Sequence, residues 1–144
     1  MTMAETNRRK IRLQWKMHKL VWKLSGGRLG RTVIGMPVLE LVTVGHKTGQ
    51  KRQILITYVD NAGSPAIIGT NAGRDRDPAW VKNLRANPEA RARWDGKWRD
   101  VTATELSGDD HQQAWNAAVK ANEDYAEYSK TLTRPVPIMR LEGA

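Results

Sequence analysis

The sequence predicts one α+β domain, mainly β, with an antiparallel barrel or sheet and helices packed around it. Three observations carry this. β-Branched runs recur at short spacing: "VLELVTV" (38–44), "QILITYV" (53–59) and "PAIIGT" (65–70). Tight-turn residues separate them, and Asp95-Gly96 sits in the middle of another such pattern. Successive strands are not separated by regular helical patterns, which argues against a parallel sheet. A length of 144 residues fits one domain with a moderate core.

Residues 5–24 read as a helix with three stripes. Leu13, Met17, Leu20 and Leu24 share one face, and Arg12, Lys16, Lys19 and Lys23 a second. Ile11, Trp15, His18 and Trp22 form a third. One core needs one apolar stripe, so the Trp-bearing stripe is surplus. Two uses fit it: lying on an anionic membrane face, or packing over a pocket or against a partner. Gly26 or Gly27 supplies the left-handed cap. Residues 1–30 are therefore set apart as an amphipathic helix and linker, and 31–144 as the barrel domain.

Further along, "DNAGS" is a turn and "NAGRDRD" (71–77) a polar loop. Asp77 reads as an N-cap and Pro78 as the first residue of the helix "PAWVKNLRA". "EARARWDGKWRDVTATEL" reads as a hairpin turning at Asp95-Gly96. Ser107 with Asp110 resembles a capping box opening a helix through Val119, and a second helical piece covers about 123–131. "RPVPIMRL" is extended, and its prolines suit an edge strand.

The formal charge of +9 favours an anionic partner. The absence of cysteine excludes disulfide and thiolate chemistry. His18, His46 and His111 do not stand at ligand spacing, which argues against a metal site. "GHKTG" is not a Walker A loop, and the serines lack a nucleophile-elbow context. No groove-reading element accompanies the charge, so nucleic acid is not expected as a partner. Nothing reads as a secretory signal or a spanning helix, so the expected location is the cytoplasm. A peripheral position at the inner membrane face is the addition that residues 5–24 bring.

An enzyme with these side chains would borrow its chemistry from an organic cofactor. A turn built on Gly45 and Gly49 can aim backbone N–H groups at an anion, with Thr48, Lys47 and Arg52 adding a hydroxyl and charge. A solvated hairpin tip explains the same residues. A second donor-rich loop carries Thr70, Asn71, Gly73 and Arg74 before the Pro78 helix. An ordinary capped helix start explains that one.

The ordered set "GHKTG" with Arg52, the Thr-x-x-Gly loop at 70–73, "DPAWVKNLRANP" and "YAEYSKTLTRPVPIMRL" resembles the deazaflavin-dependent nitroreductase family. These are actinobacterial split β-barrel proteins that bind coenzyme F420, and the likeness runs from about residue 38 to 141. It implies a split antiparallel β-barrel with peripheral helices. It implies a reductase passing hydride from C5 of reduced F420 to an electron-poor conjugated acceptor: an enone, lactone, quinone or nitroaromatic. Carried over, Lys47, Thr48, Gly49, Arg52, Thr70 and Gly73 hold phosphate and deazaflavin. Asn83 is expected nearer the cofactor and Trp80 in a structural role. Tyr125 and Tyr128 face the substrate and, with Thr70, are the candidate hydrogen-bond or proton donors. Lys47, Arg52, Arg74 and Arg76 are candidates along the path of the cofactor's anionic tail, with Arg74 and Arg76 alternatively a solvated loop paired with Asp75 and Asp77.

The chain departs from the family at four points. His46 stands where Arg is usual, Leu55 where Pro is common, Asn71 where some members carry Lys, and Thr57 where one type has Tyr. Nitroimidazole reduction is therefore not assumed. A second reading keeps the barrel but holds F420, FMN or a lipid-like ligand at a membrane with little turnover. The chain is expected as a monomer or weak homodimer.

Overall fold

The computed structural model describes residues 32–33 and 36–143. The tri-striped segment 5–24, its glycine cap and the boundary at residue 30 lie outside the described residues. Eight strands form one antiparallel sheet: β1 Thr32–Val33, β2 Met36–Val44, β3 Lys51–Thr57, β4 Val59–Asn61, β5 Ser64–Ile68, β6 Glu89–Trp94, β7 Lys97–Glu105 and β8 Ile138–Gly143. Three helices accompany them: α1 Ala79–Ala86, α2 Gly108–Ala121 and α3 Asp124–Ser129.

The pairing runs β1-β2-β6-β7-β8-β5-β4, with β3 on β2. β3 and β4 therefore stand at opposite ends of the path β3-β2-β6-β7-β8-β5-β4. In sequence only Tyr58 separates them. In a flat sheet six strand spacings would put these ends roughly 29 Å apart, whereas one intervening residue spans at most about 7 Å. The sheet must curl until its ends meet. Tyr58 carries the closure, and its N–H still bonds Pro37 at 3.0 Å.

Both faces of the curl are covered, which is why several strands read as continuous apolar runs rather than alternating ones. In β5, Ile67 packs with Leu39, Leu41, Met139 and Leu141 on the face closed by Trp80, Val81 and Leu84 of α1. Its neighbours Ala66 and Ile68 pack with Met36, Ile138 and Ala114, Ala118, Tyr125 and Tyr128 of α2 and α3. Period two sends successive side chains to the two clusters. The hairpin turns at Ala62-Gly63 and Asp95-Gly96 hold both residues at positive φ, the conformation that matches strand twist.

Three local expectations are corrected. α1 begins at Ala79 with Pro78 in the cap position, and Asp77 does not cap it. Its carboxylate is taken by Arg85 and Arg134, each at 2.9 Å, which outcompete a backbone N–H. Ser107 occupies the cap position of α2, but its hydroxyl makes no cap bond, and the helix runs on to Ala121. The C-terminal strand is interior, paired to both β5 and β7. Pro135 and Pro137 precede it, so their missing N–H groups cost the ladder nothing.

Candidate active site

The turn after β2 is drawn tight by its own backbone. Gly45 N–H bonds Gln50 O at 2.7 Å, and Gly49 N–H bonds Gly45 O at 2.8 Å. A Cβ on Gly45 would lie 3.0 Å from Thr48 Oγ1 and 3.1 Å from Gln50 O, so only glycine lets the turn close this far. Gly49 sits at φ +71. Thr48 Oγ1 accepts from Gln50 N–H at 3.2 Å, leaving the hydroxyl hydrogen to donate elsewhere.

Helix α1 holds this turn from behind. His46 donates twice to Asn83 Oδ1, from its backbone N–H at 2.9 Å and from Nδ1 at 2.7 Å. Asn83 Nδ2 donates to Thr43 Oγ1 at 3.0 Å. Asn83 and Thr43 are buried, so the bond between them is made away from water, while the two His46 bonds are half-buried. The carboxamide oxygen is fully committed to the protein, and the amide nitrogen gives one of its two hydrogens to Thr43. Trp80, one turn earlier, borders open space on both sides. Asn83 holds the turn and also borders the space beside it, and Trp80, packed in the core around α1, borders that space too.

Two clefts meet at Trp80 and Ile54. The first, about 550 Å³, is lined by His46, Lys47, Thr48, Lys51 and Arg52. The second, about 340 Å³, is lined by Met36, Leu55, Ile56, Thr57, Ile68, Thr70, Asn71, Tyr125 and Tyr128. Ile54 and Trp80 line both. Neither lining contains a carboxylate. Among the described residues no Asp or Glu pairs with Lys47, Lys51 or Arg52. One groove thus runs from a cationic end to an apolar, aromatic end.

The loop after β5 forms the wall of the apolar end. Asn71, Ala72 and Gly73 follow one another at φ 53, 53 and 83. Two of these are non-glycine residues in a sparsely populated region, a conformation that costs of order 1–3 kcal/mol each and persists only where the surroundings enforce it. The segment after α3 does so. Thr131 Oγ1 donates to Gly73 O at 2.9 Å, and the Asp75 carboxylate accepts from the backbone and hydroxyl of Thr133. Arg134 donates to Thr70 O at 3.2 Å, Arg74 O at 3.1 Å and Asp77 Oδ1 at 2.9 Å. Gly73 is buried against Thr131 and Tyr128, where a Cβ would come within 3.1 Å of Thr131 Oγ1.

Tyr125 and Tyr128 both pack and line. Their rings meet edge-on at 6.3 Å in the core cluster under α2. Tyr125 Oη lies 3.1 Å from Thr57 Oγ1. Burial pushes the Tyr125 phenol above its ordinary value, against the opposing pull of the Thr57 bond. It therefore keeps its proton at neutral pH.

Of the residues singled out in the sequence, His46, Lys47, Thr48, Arg52, Leu55, Thr70, Asn71, Trp80, Asn83, Tyr125 and Tyr128 line the groove. Gly49 and Gly73 shape its walls without lining it. Arg74 and Arg76 stand outside it, in a separate shallow depression with Asp75. Sequence reasoning passed over Lys51, which lies inside the quoted motif, and Met36, Ile54 and Asn122, which carry no signal beyond their apolar or polar type.

Comparison with known proteins bears on this geometry. The F420H(2)-dependent quinone reductase of Mycobacterium tuberculosis (strain ATCC 25618 / H37Rv) is 30% identical over 130 residues, covering 88% of this chain and 87% of that protein. The solved F420-H2 dependent reductase FDR-A superposes with a TM-score of 0.67 at 33% identity, over 74% of this chain and 94% of that one. A structure described as a domain-swapped dimer superposes at 0.69 and 31% identity, over 89% and 97%. The model of the family described as F420H(2)-dependent quinone reductase matches residues 14–143, and this chain belongs to that family.

Proposed function

We infer that the chain is an F420H2-dependent oxidoreductase acting on quinones, with cofactor and acceptor sharing the groove just described. The observation that carries this is the carboxylate-free groove itself. Its cationic end suits a phosphate, and its apolar end suits a flat conjugated ring. The glycine cradle at Gly45 and the donors at Lys47, Thr48, Lys51 and Arg52 fit the cofactor's anionic part.

When bound, reduced F420 supplies a hydride from C5 of its deazaflavin. The chain's own residues do the rest. Lys47, Thr48, Lys51 and Arg52 bind the phosphate, and Arg52 can do so bidentately. Asn83 fixes the turn from which they project. Trp80 and Ile54, at the junction of the clefts, orient the ring system. Met36, Leu55 and Ile56 exclude water, which strengthens every electrostatic interaction inside. Tyr125 Oη, held by Thr57, donates a hydrogen bond or a proton toward the acceptor oxygen, where negative charge develops. Tyr128 and Thr70 are the other donors on that wall.

Titration with F420, FMN and a short DNA duplex tests the reading, followed by quinone-dependent oxidation of F420H2. Binding of F420 alone, with turnover, supports it; strong DNA binding without F420 binding overturns it. Lys47→Ala should weaken F420 by about 1.5–3 kcal/mol, as for a charged hydrogen bond. Unchanged affinity would make the turn a solvated hairpin tip.

Among the described residues no helix is long and apolar enough to cross a membrane. A peripheral membrane position rests on the Trp and Lys stripes of residues 5–24 alone. Liposome sedimentation of wild type against Trp15→Ala/Trp22→Ala tests it, and unchanged pelleting rules it out.

A further inference from the structure

The geometry points to proton-coupled anion binding at the turn: His46 takes up a proton at Nε2 when a phosphate seats beside it. This rests on the phosphate end of the proposed groove. Asn83 sets the tautomer of the ring. Its Oδ1 receives the backbone N–H of His46, an obligate donor, and its Nδ2 faces Thr43 Oγ1. The orientation of the carboxamide is thereby fixed. The atom 2.7 Å from His46 Nδ1 is a carbonyl oxygen, so Nδ1 must carry hydrogen. Helix α1 thus selects one tautomer, in which Nε2 holds the lone pair when the ring is neutral.

A neutral Nε2 presents a lone pair to the oxygens of an anion. A protonated one presents a donor and a positive charge. Seating a phosphate therefore favours the imidazolium, and by linkage the imidazolium favours the phosphate. The charged groups around the ring are Lys47 on the turn and Lys51 and Arg52 on β3; β2 offers Thr43, and α1 offers Ala79, Trp80 and Asn83. None of these described residues is acidic, so the countercharge for a fourth cation comes from the ligand. The three fixed cations hold an anion at any physiological pH, and His46 adds a grip that titrates.

The test is F420 affinity across pH 6 to 8 for wild type, His46→Arg and His46→Gln, read by fluorescence. The ligand's own titration is common to all three and cancels. Because histidine changes charge between about pH 5 and 8, the wild-type Kd should rise roughly tenfold more over this range than that of either variant. Arg should stay tight and Gln weak throughout. In parallel, 15N NMR of the His46 ring at pH 7.5 should show protonation at Nε2 on adding F420, with Nδ1 protonated before and after. Parallel pH curves for the three proteins, or a ring that stays neutral when loaded, overturn the inference while leaving the phosphate site standing. Absence of F420 binding at every pH removes the site and the inference together.

Discussion

Tyr125 of α3 and Thr57 at the end of β3 join their hydroxyls at 3.1 Å across the edge of the apolar cleft. This is a link between a helix and the free side of a strand that pairs only with β2 among the described residues. Tyr125→Phe keeps the ring and removes the link. The expected result is a loss of about 0.5–1.5 kcal/mol of stability and a fall in kcat with quinone of roughly 10²-fold if the hydroxyl supplies the proton. F420 affinity should stay unchanged. A variant with wild-type kcat would move the donor role to Tyr128, Thr70 or solvent.

The same phenol gives an alkaline prediction. Its folded pKa lies above the ordinary value of 10.0. Below that value neither state ionises and stability is fully present. As pH rises through 10 the unfolded chain ionises first, so stability is lost on the way to the folded value. Melting temperature against pH should fall more steeply above pH 10 for wild type than for Tyr125→Phe.

On the acid side the relevant group is Glu105. The Arg85 guanidinium, bound bidentately at 2.8 and 2.9 Å, holds its carboxyl below the ordinary 4.5. A lowered pKa contributes stability above the unfolded value, and that contribution disappears as pH falls through the folded one. Glu105→Gln should therefore lower the melting temperature modestly at pH 7, the pair being half-exposed, and converge on wild type as pH falls below about 4.5.

Arg134 is the staple of the strained loop. Arg134→Ala should cost about 1–3 kcal/mol, since three acceptors lose a largely buried charged donor. Denaturant unfolding measures this. Thr70 and Asn71 wall the acceptor end, so KM for quinone should rise more than Kd for F420. Arg134→Lys should recover little, because one ammonium cannot reproduce the planar fork.

Leu141 is fully buried on the inner face of β8. Leu141→Ala should cost about 2–5 kcal/mol, measured by the same unfolding curves.

The strands and the Asp95-Gly96 hairpin were legible because period two and left-handed turn chemistry are local signals. So was the turn at 45–52, because glycines and cations cluster there in sequence. What failed to show depends on distant partners. Asp77 looked like a cap because its neighbours look like a helix start; its actual partners are Arg85 and Arg134, the latter 57 residues away. Ala72 gives no hint of a positive φ, which the segment 131–134 imposes. "RPVPIMRL" looked like an edge because its prolines are conspicuous, whereas the strand begins just after them.

Strand β8 governs the order in which the sheet can assemble. This last strand lies between β5 and β7 rather than at a margin. The hairpins β2–β3, β4–β5 and β6–β7 can each form alone, but among the described residues no ladder links β5 to β7 until residues 138–143 are in place. Closure of the sheet is thus dominated by contacts distant in sequence, the regime of slow folding. Removing those six residues would leave β5 and β7 with facing unpaired edges in the middle of the barrel.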